Sequence, residues 1–205
     1  MTARRWTALH EAGHGVAEVV LGGAGKYVSI RPGKTFSGIH VSVPSERDTS
    51  QFNPFKPLIT QPAELRADIE REVIVYLAGD LAAATLYEPS GDESEAIEAP
   101  DTDALARQAL ASLGPRLAEL IVADEESDEP HEDDETRAHE LASAFVSIGD
   151  DTMSGAFYLE WLRGEARALV LRYRAAILRV ADALERHVVL QGEQVAALVY
   201  PPKRR

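Results

Sequence analysis

Residues 7–17 read TALHEAGHGVA, and this stretch decides how the rest of the chain is arranged. It contains the pattern His-Glu-x-x-His, in which His10 and His14 are four residues apart. Because an α-helix has about 3.6 residues per turn, the two imidazoles lie one above the other on the same helix face. Apolar residues recur at three- and four-residue spacing along the segment. This spacing predicts a half-buried helix from about Arg5 to Leu21.

The same spacing predicts a metal site. Two imidazoles on one helix face can bind one Zn²⁺ ion at ~2.0–2.1 Å. Glu11 is offset by one residue, so its carboxylate can lie beside the metal and accept a proton from a water as general base. The alternative is a core helix that carries incidental histidines. Gly13 and Gly15 each destabilise such a helix by up to ~1 kcal/mol relative to Ala. Glycine at these positions despite that cost indicates that a neighbouring backbone or a substrate approaches closely.

The amino-acid composition excludes or disfavours several classes of function. A chain of 205 residues with 45% hydrophobic residues is typical of a single domain, residues 1–205. It has no cysteine, so a zinc ion must be bound by histidine and carboxylate. No long apolar stretch and no signal-peptide core are found, so we expect a cytoplasmic protein without membrane insertion. The net charge of −13 disfavours nucleic acid as a partner.

The negative charge is concentrated in residues 124–135, where nine of twelve residues are acidic. Such a segment repels itself, so we interpret it as an acidic flexible loop on the surface. The alternative interpretation is a docking segment for a basic partner. Residues 201–205 are expected to form a frayed tail.

The remaining patterns predict a mainly α fold with a small β element. Residues 26–31 and 38–43 alternate like strands and would form a hairpin or an edge strand. Residues 46–62 contain three prolines and are expected to be a loop. Helical periodicity predicts six further helices, at about residues 63–87, 101–113, 116–123, 136–148, 158–187 and 192–199.

Taken in order, several blocks of this sequence resemble the protease domain of FtsH-type zinc peptidases, which is normally fused to a membrane-anchored ATPase. Residues 8–14 are similar to the family's metal-binding helix, and residues 28–33 and 38–41 with Pro44 to its strand pair. Residues 77–83, LAGDLAA, resemble a helix of small residues that the family packs against the site. The end of this chain resembles the last two helices of the family's protease domain. The matching residues here are Leu178, Ala181, Leu184, Val189, Gly192, Glu193, Val195 and Leu198.

The resemblance implies a third zinc ligand, an aspartate early in a helix that follows the small-residue helix. Alignment of the following apolar residues places it at Asp103, with Asp101 as the alternative. Asp101 is also a suitable N-cap for that helix. The family usually has an acid where this chain has Ala83 or Ala84, so a contact that supports the metal ligands is missing from that position. Glu18, one turn beyond His14, is a candidate to brace the site.

The implied activity is that of a zinc metallopeptidase that works without ATP, because these 205 residues contain no phosphate-binding loop. The expected substrates are peptides or unstructured polypeptide, paired with the strand at residues 38–43. His40 on that strand is either a surface histidine or a substrate contact. His131, His139 and His187 have no predicted role. The resemblance also implies a homo-oligomer. The alternatives are a non-catalytic binding module that retains the peptidase fold, and a zinc hydrolase of other substrates.

Overall fold

A computed structural model describes residues 3–33, 37–42, 62–88, 133–146 and 152–202. Within these ranges the protein is mainly helical with one small antiparallel sheet, as the sequence predicts. The three strands are β1 (Gly25–Ser29), β2 (Ile39–Ser42) and β3 (Val189–Gln191). The helices are α1 (Ala3–Val20), α2 (Ala63–Leu86), α3 (Asp134–Val146), α4 (Thr152–Arg172), α5 (Arg174–His187) and α6 (Gly192–Val199).

Helix α1 is the centre of the molecule, because it packs against α2 on one side and α5 on the other. Its Leu9, Ala12 and Val16 are fully buried. A Cβ at Gly13 would lie 2.5 Å from the carbonyl oxygen of Ala78 in α2. The predicted close approach at Gly13 is therefore confirmed, and the approaching group is the backbone of a neighbouring helix.

The sheet has the order β2-β1-β3, with both pairs antiparallel. Val28 in the middle strand pairs with His40 on one side and Leu190 on the other. The predicted strand pair is thus confirmed as β1 and β2. The third strand was not predicted, because three residues after a helix give too short an alternation to recognise. Val188, with φ of 65°, turns the chain from α5 into β3.

Helix α2 lies between two apolar clusters. Val75, Ala78 and Ala82 belong to the larger cluster, which α1, the sheet and α5 complete. Val73 and Leu77 belong to a second cluster with α3 and α4. Both faces of α2 are therefore covered, and the helix packs beside α1. Across the described residues, every helix is too short or too polar to span a lipid bilayer.

Several helix boundaries differ from the sequence prediction, most of all in α3 and α4. The single helix predicted for residues 158–187 is wrong, because α4 already begins at Thr152 and ends at Arg172, and α5 begins at Arg174. Tyr173 leaves the helical conformation with φ −103° and ψ 16° while its side chain packs against the main core. Helix α3 begins at Asp134 rather than Thr136, so the last residues of the predicted acidic loop are helical. The helices predicted at 101–113 and 116–123, and residues 46–61, lie outside the described residues.

A candidate metal centre between α1, α2 and α3

Three side chains from two helices meet at one point beside α2. Nε2 of His10 and Nε2 of His14 lie 3.0 Å apart, as the spacing on α1 predicts. Oδ2 of Asp134, the first residue of α3, lies 3.1 Å from the first nitrogen and 3.0 Å from the second. The three atoms form a nearly equilateral triangle. Among the described residues, this group could hold a metal ion.

The triangle suits a small tetrahedral ion. Zinc bonds of ~2.0–2.1 Å in tetrahedral geometry separate neighbouring ligand atoms by about 3.3 Å. The observed separations of 3.0–3.1 Å are only slightly shorter. Two imidazoles and one carboxylate are also the donor types that zinc takes in catalytic sites, where a fourth position is left for water. The residues present therefore fit a zinc ion.

The outer nitrogen of each imidazole has its own partner. Nδ1 of His14 lies 2.8 Å from the backbone carbonyl oxygen of Val75, and this oxygen can only accept a hydrogen bond. Nδ1 of His10 lies 3.1 Å from Oδ1 of Asp80. Both partners belong to α2 and orient the rings so that Nε2 faces the centre of the triangle. Carboxylates and backbone carbonyls in this position are characteristic of metal-binding histidines.

Asp80 also resolves a question raised by the sequence. The resemblance to the peptidase family leaves no acid at Ala83 or Ala84 to support the ligands. Ala83 is fully buried in the main core and Ala84 is exposed. The carboxylate that reaches His10 comes instead from Asp80, one turn earlier on α2.

The charges of the triangle stabilise one another. Burial lowers the pKa of His10, but hydrogen bonds with Asp134 and Asp80 outweigh it and raise the pKa to about 10. Burial raises the pKa of Asp134, and hydrogen bonds from His10 and His14 reverse this and hold it well below its usual range. His10 and Asp134 therefore form an ion pair, and a divalent cation that bound there would displace a proton.

Glu11 lies beside the triangle without belonging to it. Its side chain is 4% exposed, and burial raises the pKa of the carboxyl to about 7, against the opposing effect of positive charge on His14 and His10. A Cβ at Gly38 would lie 2.7 Å from Oε1 of Glu11. The carboxylate is thus placed between the two histidines and the start of β2. A carboxyl group in this environment can exchange a proton near neutral pH.

His40 on β2 is closer to the centre than the surface interpretation predicts. Its ring stacks over that of His14, with centroids 5.8 Å apart and planes inclined by 17°. Burial, followed by the charge of His14, lowers the pKa of His40 to about 3. Within the described residues, the buried Nε2 of His40 has no hydrogen-bond partner. The ring is therefore a neutral wall of the site.

Glu18 does not reach the triangle. Its side chain is buried, and Oε2 accepts a hydrogen bond of 3.0 Å from the hydroxyl of Ser42 at the end of β2. Glu18 therefore braces the strand rather than the ligands. His139 and His187 are exposed and are not part of the triangle, and His131 lies outside the described residues.

The structure brings together His10, Glu11 and His14 as predicted. Asp103 and Asp101 lie outside the described residues, so their assignment stays a prediction. Sequence reasoning missed Asp134 because it belongs to a dense acidic run that is typical of a solvated loop. One signal was present: Ala138 and Ala142, which are buried, follow Asp134 at helical spacing. The resemblance implies a third ligand that is an aspartate early in a helix after the small-residue helix. Asp134 has this position, as Asp103 does in its predicted helix.

Comparison with protein-family models gives no match for this chain. A search of curated proteins also gives no match. The proposed function therefore rests on the geometry of the site and on the sequence motifs.

Proposed function

We propose that this protein is a zinc-dependent hydrolase that cleaves peptide bonds in peptides or unstructured polypeptide. The observation that carries the proposal is the triangle of His10, His14 and Asp134 with Glu11 buried beside it. A zinc ion bound there would act as a Lewis acid, lowering the pKa of a bound water and polarising a carbonyl. Glu11 is the base of this reaction, and Asp80 and the carbonyl of Val75 hold the imidazoles in the required orientation.

Asp134 is our choice for the third ligand. The resemblance to FtsH-type peptidases implies an aspartate early in a helix that follows the small-residue helix. Asp134 opens α3, which follows α2 along the chain, and its carboxylate already lies within 3.1 Å of both imidazoles. This geometry favours Asp134 over Asp103 and Asp101.

The position of β2 supports an extended peptide as substrate. In the sheet order β2-β1-β3, one side of β2 pairs with β1, and within the described residues no strand pairs with the other side. An added peptide strand would be recognised through main-chain hydrogen bonds, with little dependence on its sequence. Such a strand would pass Gly38, which is next to Glu11, and so reach the base and the metal together.

The decisive experiment measures cleavage of casein and of a peptide library by zinc-loaded protein, without ATP, because the proposed hydrolysis uses only water. The wild type is expected to cleave. Glu11→Gln should retain one equivalent of zinc and lose about 10²–10⁴-fold in kcat/KM, since it removes the general base. Glu18→Gln is the matched control, because Glu18 is equally buried on the same helix but hydrogen-bonds Ser42 instead.

Three results would contradict the proposal, each in a different way. If wild type and Glu11→Gln are equally inert on every substrate, a non-catalytic binding module is the better account. If both cleave equally well, the activity belongs to another site or to a contaminant. Cleavage of small esters or amides but of no peptide would favour a zinc hydrolase of a different substrate class.

A further inference from the structure

Helix α4 presents an apolar stripe to solvent on the side away from the core. Phe157, Trp161 and Leu171 are 68%, 50% and 57% exposed, which is unusual for side chains of this size. Gly164 and Ala168 complete the row and are also exposed. The five positions are separated by four, three, four and three residues, the heptad spacing of helices that pack side by side. The opposite face of α4 is buried through Leu159, Leu162, Ala166, Leu169 and Val170.

Gly164 in the middle of this stripe is not explained by any contact among the described residues. A Cβ built there meets nothing within 4 Å, so no neighbour in the structure requires a glycine. Glycine in an exposed helix interior is disfavoured by roughly 1 kcal/mol relative to alanine. Close approach by a group from outside the chain would account for it.

Trp161 is held in a fixed orientation although half of it is exposed. Its ring stacks on Tyr158, with centroids 5.7 Å apart and planes inclined by 28°. The hydroxyl of Tyr158 in turn donates a hydrogen bond of 2.8 Å to Oε1 of Glu70 in α2. An exposed indole that is already ordered loses little conformational entropy on binding, as is typical of an interface anchor.

We infer that this stripe is the interface of a homodimer in which α4 of a second copy packs antiparallel to α4. In that orientation, the large residues of the stripe on one copy lie opposite the small residues of the stripe on the other. When Trp161 lies opposite Gly164 of the second copy, Phe157 lies opposite Ala168 of that copy. The two-fold axis repeats both contacts, so each large ring fills the space left by a small residue.

The charges beside the stripe favour the same orientation. Glu160 and Arg167 lie on one flank of α4, seven residues apart, and both are exposed. In the antiparallel register, Glu160 of each copy lies beside Arg167 of the other, which gives two attractive pairs. A parallel pair would instead bring Glu160 towards Glu165 and Arg167 towards Arg172. Like charges at these positions disfavour the parallel arrangement.

A second copy is therefore the occupant that the pattern fits. An unrelated apolar partner would require neither the alternation of large and small residues nor the opposite charges on one flank. The interface of a single helix pair lies at the small end of stable interfaces, so the dimer should dissociate on dilution. This inference is independent of the proposed activity.

The test is sedimentation velocity of the full chain over a concentration series. The wild type should show a concentration-dependent monomer–dimer equilibrium. Gly164→Leu should raise the dissociation constant at least about tenfold, because the new side chain occupies the place of Trp161 from the second copy. Circular dichroism checks that each variant is folded, and Glu165→Gln, on the other flank, is the matched control that should dimerise like the wild type.

Charge reversal tests the orientation. Glu160→Arg and Arg167→Glu should each weaken the dimer, and the double variant should restore it, because the pairs are re-formed with exchanged signs. A wild type that stays monomeric at all concentrations overturns the inference. A Glu160→Arg variant that dimerises more strongly also overturns it, because that result is expected of a parallel pair. A double variant that stays monomeric overturns it as well.

Since the chain has no cysteine, Phe157→Cys and Ala168→Cys give a further check. Mixed and oxidised, the two variants should crosslink, whereas either variant alone should not.

Discussion

The imidazole of His14 lies directly against the backbone of Gly79, in the space that any side chain at residue 79 would need. A Cβ at Gly79 would lie 2.2 Å from Nε2 and 2.4 Å from Cε1 of His14. Nε2 is the atom that points at His10 and Asp134. The glycine of the small-residue helix is therefore required by the position of the His14 imidazole, and the helix cannot accept alanine there without moving that ring.

We expect Gly79→Ala to abolish stoichiometric zinc binding. Alanine would favour the helix by up to ~1 kcal/mol, but the clash with His14 displaces the imidazole from the triangle. Overpacking of this kind destabilises proteins by ~1–3 kcal/mol, so the free energy of unfolding should also fall or at best stay level. Zinc content after dialysis and thermal unfolding measure the two effects.

Gly164→Ala is the matched control for that substitution. It makes the same chemical change in an exposed helix position where no atom of the described residues lies within 4 Å of the new Cβ. In dilute, monomeric protein it should raise the free energy of unfolding by up to ~1 kcal/mol and leave zinc content unchanged. If Gly79→Ala binds zinc as well as Gly164→Ala does, His14 is not a ligand in the orientation described.

The third ligand can be tested by three single substitutions. Asp134→Asn should lose stoichiometric zinc, because it removes the only carboxylate that joins the two imidazoles in the described part of the chain. Asp133→Asn is the neighbouring control. Asp133 caps α3 by accepting hydrogen bonds of 2.8 Å from the backbone and hydroxyl of Thr136, and asparagine serves equally well as an N-cap. Asp103→Asn should also retain zinc. Loss of zinc in Asp103→Asn with retention in Asp134→Asn would return the assignment to Asp103.

A weaker effect is expected from Asp80→Asn. Asp80 contacts the outer nitrogen of His10 and not the triangle itself, so the three ligand atoms remain. Loss of a partner that orients a metal ligand typically lowers metal affinity by about 10–100-fold. A competition titration with a chromophoric chelator measures this change. Glu72→Gln, also on α2, is the control and should leave the affinity unchanged. An unaltered affinity in Asp80→Asn would mean that the contact with His10 is incidental.

The parts of the fold that the sequence predicts well are those with strong periodicity. Helices α1 and α2 and the closing helix α6 follow from apolar residues at three- and four-residue spacing, and their ends are correct to within about two residues. The break at Tyr173 is invisible in the sequence because no glycine or proline marks it and the apolar pattern continues on both sides. Tertiary packing of Tyr173, rather than local propensity, ends α4.

In the candidate site, too, one part could be predicted from the sequence and another part could not. His10, Glu11 and His14 come from one helix, so their relative positions follow from helical geometry alone. Asp134 and Asp80 reach the site from other helices, and their contacts depend on how α2 and α3 are rotated against α1. No local pattern encodes that rotation. The two interpretations of His40 stayed open in the sequence for a related reason: alternation along β2 gives two faces, but only the packing of the sheet on α1 decides which face meets His14.

The last prediction concerns a substitution, Gly38→Ala, that should disturb the general base without disturbing zinc binding. A Cβ at Gly38 would lie 2.7 Å from Oε1 of Glu11 and 2.6 Å from Cγ2 of Thr7, so Gly38→Ala must push the carboxylate away from its position. The three atoms nearest to that Cβ belong to Thr7 and Glu11 and not to the triangle, and zinc content should therefore be that of the wild type. A misplaced catalytic group is expected to lower kcat by roughly 10–100-fold, because displacements of about 1 Å have effects of that size.

Ser37→Ala, in the exposed preceding residue, is the control for this effect and should leave kcat unchanged. Peptide cleavage and zinc content measured on the same preparations give the comparison. Reduced zinc in Gly38→Ala would mean that the strand supports the ligands rather than the base. Full activity with full zinc would show that the position of the Glu11 carboxylate next to Gly38 does not matter for the reaction, and another group would have to accept the proton.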